Sequence, residues 1–158
     1  MRAFSLIHLL LGLFLSAILV QGCASGRPMG GIDAIPKGWP ISHDVAEISS
    51  SYGAPRGRST HRGIDLSAPA GTPVRATADG RVIFAGRSGS FGRLVVIDHG
   101  NGWETRFAHL KRIKVEKGKK VRRGALVGTV GKSGNASGPH LHYEIRLQDR
   151  PVDPRPMM

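Results

Sequence analysis

Cysteine is nearly absent: Cys23 is the single one in 158 residues. One cysteine forms no intrachain disulfide, so the fold must stand without one. Acid is scarce as well. Eleven Asp and Glu face 23 Lys and Arg, a formal net charge of +12. That balance excludes an acidic surface and favours polyanionic partners in general: nucleic acid, anionic cell-wall polymer or a membrane face. Aromatics make up only 6% of the chain, and none interleaves with a basic stripe of the single-strand-binding type. A nucleic-acid partner is therefore not expected. From Trp39 to Pro154 no helix of useful length can be read, because Gly and Pro punctuate too often.

Only one long apolar run exists, "AFSLIHLLLGLFLSAILV" at residues 3–20, and it holds no charge. Arg2 before it makes an export signal over residues 1–22. The alternative is a short transmembrane helix. "LVQGCAS", residues 19–25, sets Cys23 directly after the run. It resembles the lipobox of bacterial lipoproteins, with Val20 and Gly22 in pattern and Gln21 less usual. The resemblance implies cleavage before Cys23 and lipidation of its thiol. The expected product is a membrane-anchored lipoprotein facing the cell wall. Ala24 suggests the periplasmic face of an outer membrane, where the cell has one. Residues 23–38 then form the lipidated N-terminus and a linker, rich in Gly and Pro and without periodicity. The folded domain is expected over residues 39–155.

Inside the domain, short β-rich runs alternate with turn signals, the mark of an all-β fold. "TPVRATA" (72–78) leads through Asp79-Gly80 into "RVIFAG" (81–86), which predicts a hairpin. "RLVVID" (93–98) turns at "HGNG" into "WETRFAHL" (103–110). "RIKV" (112–115) and "ALVGTV" (125–130) follow, for seven or eight strands, mostly antiparallel. "GTVGKSG" (128–134) contains Gly-Lys-Ser. A phosphate-binding loop would need glycine where Leu126 stands and a helix after it, so these glycines read instead as hinges around a cleft.

"SGPHLHYEI" (137–145) carries the chemistry. Leu141, Tyr143 and Ile145 alternate with His140, His142 and Glu144, so a strand there has one apolar face and one imidazole face. Two further segments offer ligands. "HRGID" places His61 and Asp65 four apart in a turn-rich stretch, and "RFAHL" ends a predicted strand at His109, on the face of Phe107. A catalytic zinc takes three protein ligands and leaves one position to water. Four histidines and one aspartate suffice for that, with two histidines to spare. His8 falls in the signal, His43 at a polar segment start and His99 in a turn; none of these is assigned a role.

In order and wording the three segments resemble the lysostaphin-like, or LytM-type, zinc endopeptidases of the bacterial cell wall. The likeness runs from about Trp39 to Pro154 and includes "SSYG", "GIDLSAPAGTPVRATADGRV" and "PVDP". It implies an all-β, antiparallel, barrel-like sandwich with a metal site in a surface groove. It implies one Zn²⁺ per chain, held by His61, Asp65 and His142, with His109 and His140 assisting catalysis. The implied reaction is hydrolysis of peptide cross-links in peptidoglycan, with stem peptides as partner and a monomer as the expected state. Glu144 reads as a rim carboxylate, with a ligand-orienting partner as the alternative. One departure is Phe107, where the family often has tyrosine; Tyr52 is the substitute to consider. Some LytM-type domains have lost zinc ligands and instead bind cell wall and activate an amidase; here all five positions are kept. A lipoyl-like carrier would need a lysine at the Asp79-Gly80 tip, which has none.

Cys23→Ser is expected to release the protein from membranes or leave an unprocessed precursor. A fatty-acid probe followed by fractionation checks it. An acyl signal independent of Cys23 would overturn the anchor.

Overall fold

Period-two apolar alternation dictates strands, and residues 35–158, the span that the computed structural model describes, fold accordingly. Cys23 and the apolar run before it lie outside that span. The strands are β1 (Glu47–Ser50), β2 (Pro55–Arg56), β3 (Ser59–Thr60), β4 (Ile64–Ser67), β5 (Pro73–Arg75), β6 (Gly80–Ser88) and β7 (Gly92–Gly100). They continue as β8 (Trp103–Ala108), β9 (Arg112–Ile113), β10 (Lys120–Val121), β11 (Leu126–Thr129), β12 (His140–Leu147) and β13 (Arg150–Val152). Four of the thirteen have only two residues, which is why fewer are legible in the sequence. The helical segments among the described residues are three-residue 3₁₀ turns.

Every strand pair is antiparallel. The large sheet runs β1-β4-β12-β8-β7-β6-β10, with β13 also on β12; β5-β11-β9 form a second sheet and β2-β3 a small hairpin. Val74 and Val127 of the second sheet meet Ile64, Ile97, Phe107 and Tyr143 of the first in one core. The fold is all-β and sandwich-like, as the sequence predicts. Leu141, Tyr143 and Ile145 of β12 are buried as the alternation requires. Such side chains contribute about 1.5–3 kcal/mol each when fully buried.

The Asp79-Gly80 hairpin is not there. β5 and β6 lie in different sheets, and residues 76–79 cross between them. Gly80 already belongs to β6. It is needed for close approach, since a Cβ there would lie 2.5 Å from the Asp98 carbonyl oxygen and 2.7 Å from His99 Nδ1. Asp79 serves the crossing: its carboxylate accepts the Arg123 backbone N–H at 2.8 Å. The second turn does form, one residue later than read, with Gly100, Asn101 and Gly102 all at positive φ. His99 is therefore in a strand. It is 2% exposed, donates from Nδ1 to the Asp79 carbonyl at 2.7 Å and accepts the Thr105 hydroxyl at Nε2 at 2.8 Å.

The glycines of 128–134 are not hinges. Added Cβ atoms would meet Arg112 O at 2.7 Å from Gly128 and Lys111 N at 2.3 Å from Gly131. They are tight backbone crossings. Backbone hydrogen bonds also involve residues outside 39–155. Lys37 N–H reaches the Thr77 carbonyl at 3.0 Å and Gly38 N–H the Met157 carbonyl at 2.7 Å.

Gly80→Ala is expected to destabilise the domain by about 1–3 kcal/mol through overpacking. Gly138→Ala, where nothing lies within 4 Å of the new methyl, is expected to stay within about 0.5 kcal/mol of wild type. Urea denaturation of both variants checks the contrast.

Candidate metal centre

Strand register builds the site. Asp65 of β4 and His142 of β12 are direct cross-strand partners. His61 arrives from the segment between β3 and β4. That segment can lie against β12 only because Gly63 has no side chain: a Cβ there would sit 2.2 Å from the Tyr143 carbonyl oxygen. The result is a tight triangle. His142 Nδ1 lies 2.9 Å from Asp65 Oδ1 and 2.9 Å from His61 Nε2, and the third edge is 3.1 Å. All three residues are buried.

Proton placement follows from the partners. A carbonyl oxygen only accepts, so His61 Nδ1, 3.0 Å from Ser51 O, carries the ring proton and leaves Nε2 as a lone pair. His142 Nε2, 3.1 Å from Glu144 Oε1, donates to that carboxylate. Two imidazoles and a carboxylate converging over about 3 Å match a divalent-cation set. The ligand atoms of a tetrahedral zinc site lie about 3.3 Å apart. Electrostatics agree for Asp65 and His61. Burial would raise the Asp65 carboxyl, but the adjoining His142 ring and the Arg56 hydrogen bond outweigh it and hold the group far below the usual carboxylate range. Burial pushes His61 down, toward the neutral form a ligand needs. For His142 burial also pulls down, but the adjoining carboxylates of Asp65 and Glu144 win and raise it, toward the protonated form that a bound cation must displace.

His109 and His140 face the same groove. Its volume is about 630 Å³, and Arg56, Phe91 and Asn135 also line it. His140 Nδ1 donates to the Gly138 carbonyl at 2.9 Å, and its Nε2 stands 3.8 Å from Asp65 Oδ1. His109 Nδ1 donates to the Ser133 carbonyl at 2.8 Å. Their ring centroids are 4.7 Å apart. Burial lowers the His109 pKa, keeping that ring neutral. His109 therefore presents a free Nε2 lone pair to the groove, and His140 turns its Nε2 to the same space.

The face assigned to His109 is corrected. Strand alternation would send it with Phe107 into the core. Its backbone instead turns to φ 59 just after β8, a region non-glycine residues rarely adopt, and the ring swings into the groove. Phe107 is fully buried, 5.4 Å from Tyr143 centroid to centroid, so a phenol there has no path to the groove. Tyr52 is no substitute, because its hydroxyl donates to the Pro151 carbonyl at 3.0 Å. Glu144 is not a rim carboxylate. It is 1% exposed and is held by His142 Nε2 and by Arg146 Nη1 at 3.0 Å. His43 stays exposed beside Asp44. Arg56 escapes sequence reading altogether. From the β2-β3 hairpin it donates to Asp65 Oδ2 at 2.6 Å and to Ser50 Oγ at 3.0 Å, so only Oδ1 is turned to the triangle. The sole signal for it was a cation on a short hairpin near "HRGID".

A model described as peptidase family M23 matches residues 59–154. The chain belongs to this family. A DD-carboxypeptidase/endopeptidase, Mpg, of Neisseria meningitidis serogroup B is 52% identical over 94 residues, which is 60% of this chain and 22% of that relative. The chain thus spans about a fifth of such curated relatives. The crystal structure of a zinc-containing peptidase from Vibrio cholerae superposes at TM-score 0.70 with 35% identity, covering 75% of this chain and 38% of the other. The catalytic domain of lysostaphin from Staphylococcus simulans gives 0.66 and 28%, covering 70% of this chain and 90% of that domain. The M23 domain here has the lysostaphin-type fold, and the clustered histidines fall inside the matched span.

Glu144→Gln removes the charge that holds the His142 Nε2 proton. It is expected to weaken zinc binding by about 10–100-fold, read by competition with a chromogenic chelator.

Proposed function

We propose that this M23 domain is a zinc-dependent endopeptidase that hydrolyses peptide cross-links of peptidoglycan. The observation that carries the reading is the His61–Asp65–His142 triangle with two spare imidazoles, His109 and His140, turned to the same space. His61 Nε2, Asp65 Oδ1 and His142 Nδ1 would hold one zinc per chain. When bound, zinc supplies a Lewis acid for the scissile carbonyl and makes water acidic enough to react near neutral pH. The remaining work falls to the protein. His109 brings a neutral ring with a lone pair, and His140 turns its Nε2 to the same space. One takes the proton of the attacking water as its oxygen bonds to the carbonyl carbon. That proton must end on the leaving nitrogen as the C–N bond breaks, and either ring can deliver it. The ring that holds that proton can steady the oxyanion until the leaving nitrogen accepts it. Such groups contribute roughly 10²–10⁴-fold each. Arg56 keeps the Asp65 carboxylate in one orientation, and Glu144 keeps the His142 tautomer.

The D,D cross-link between stem peptides is the bond this reading selects. It is supported by the likeness to the meningococcal protein, whose name is that of a DD-carboxypeptidase/endopeptidase. Anchorage through a lipid at Cys23 belongs to the same proposal, since the substrate lies outside the cytoplasmic membrane. A monomer suffices, because all five residues come from one chain.

The neighbours of "HLH" are expected to separate by function. His142→Ala loses both zinc and activity. His140→Ala and His109→Ala keep about one zinc per chain and lose turnover by roughly 10²–10⁴-fold. Metal content and hydrolysis of defined cross-linked muropeptides, measured in one buffer, decide it. Zinc loss in His140→Ala equal to that in His142→Ala would sink the assignment.

A further inference from the structure

Outside the histidine groove, four cations gather with no acid among them. Arg87, Arg93, Lys111 and Lys132 line a second cavity of about 440 Å³. Arg87 of β6 and Arg93 of β7 are direct cross-strand partners. Like charges placed opposite each other weaken an antiparallel pair. Neither arginine has a compensating carboxylate among the described residues. Four of the acids are engaged elsewhere: Asp65 with Arg56, Glu104 with Arg106, Glu144 with Arg146 and Asp153 with Arg155. The fold thus keeps an unneutralised cluster at a cost in stability, at the turn end of the β6–β7 pair.

Its position gives that cluster a use. Ser133 is the wall between the two cavities. Its carbonyl holds the Nδ1–H of His109 at 2.8 Å, and its hydroxyl accepts the Arg93 backbone N–H at 2.8 Å. Lys111 follows His109 by two residues, about 7 Å along an extended chain. Lys132 comes from the Gly-Lys-Ser stretch. An extended ligand leaving the histidines on this side meets the cations next.

We propose that this cavity is a subsite for the free carboxylates of an acidic peptide, seating the stem peptide beside the bond under attack. The proposal rests on the peptidase reading for its choice of ligand. Two guanidinium forks match carboxylates in shape, and the lysines add mobile positive charge.

The test uses the full chain loaded with zinc. Calorimetry follows binding of an uncross-linked stem peptide with free carboxylates, the same peptide with its carboxylates amidated, and a poly(glycerol phosphate). The variant is Arg87→Gln/Lys132→Gln; the control is Lys114→Gln/Lys117→Gln, both exposed and outside the cavity. Wild type and control are expected to bind the free peptide at least about tenfold tighter than the amidated one. The variant is expected to lose that preference, with unchanged zinc content and a thermal midpoint no lower than wild type. On cross-linked substrate its KM should rise about tenfold with kcat kept. Equal affinity of wild type for free and amidated peptide overturns the subsite, as does an equal loss in the control. Tighter, variant-sensitive binding of the phosphate polymer reassigns the cavity and overturns the peptide proposal. A wild-type protein that shows the carboxylate preference yet cuts no cross-link leaves the subsite standing and removes the peptidase reading.

Discussion

Everything at the histidine groove depends on where four ring protons go. Each imidazole gives its outward N–H to a fixed acceptor: His61 to Ser51 O, His109 to Ser133 O, His140 to Gly138 O and His142 to Glu144. The nitrogen left over on each ring is directed inward. An imidazole cannot be both ligand and donor at one atom, so these outward bonds decide whether the cluster is a cation site or a hydrogen-bonded knot. Three of the four acceptors are backbone carbonyls, whose placement is set by the chain path and not by a mobile side chain.

That path is expensive in glycine and in strain. Gly63 permits contact between the His61 segment and β12 at a distance no Cβ could share. His109 holds a positive φ that strand geometry would not choose. Gly92 and Gly134 cross so closely that a Cβ on either would lie 2.4 Å from the other's backbone nitrogen. Such features persist where the surrounding sheet over-determines them. Here the surrounding sheet is rigid, because β12 sits between β4 and β8 and its apolar face is fully buried.

Charge is arranged with similar economy. Two of the few acids, Asp65 and Glu144, are spent inside the groove, each tied to an arginine and to His142. Buried carboxylates are tolerated only with such partners. The surface is left predominantly basic, as suits a protein whose proposed substrate is an anionic wall.

The sequence by itself determined the strand class, the apolar face of β12 and the five residues that meet in the groove. Period-two alternation and the spacing of His, Asp and Gly are local signals, and local signals survive without a structure. It also carried the likeness to lysostaphin-type peptidases. It did not determine sheet membership: Asp79-Gly80 has hairpin chemistry, yet its flanking strands part into two sheets because Val74 pairs with β11 and Val82 with the β7 side. Nor did it place Arg56, Glu144 or the turn of His109. Those depend on which residue a strand meets across a register, on burial from both sides, and on a backbone angle fixed by distant packing. Such terms exist only once the chain has closed on itself, so tertiary structure alone decided them.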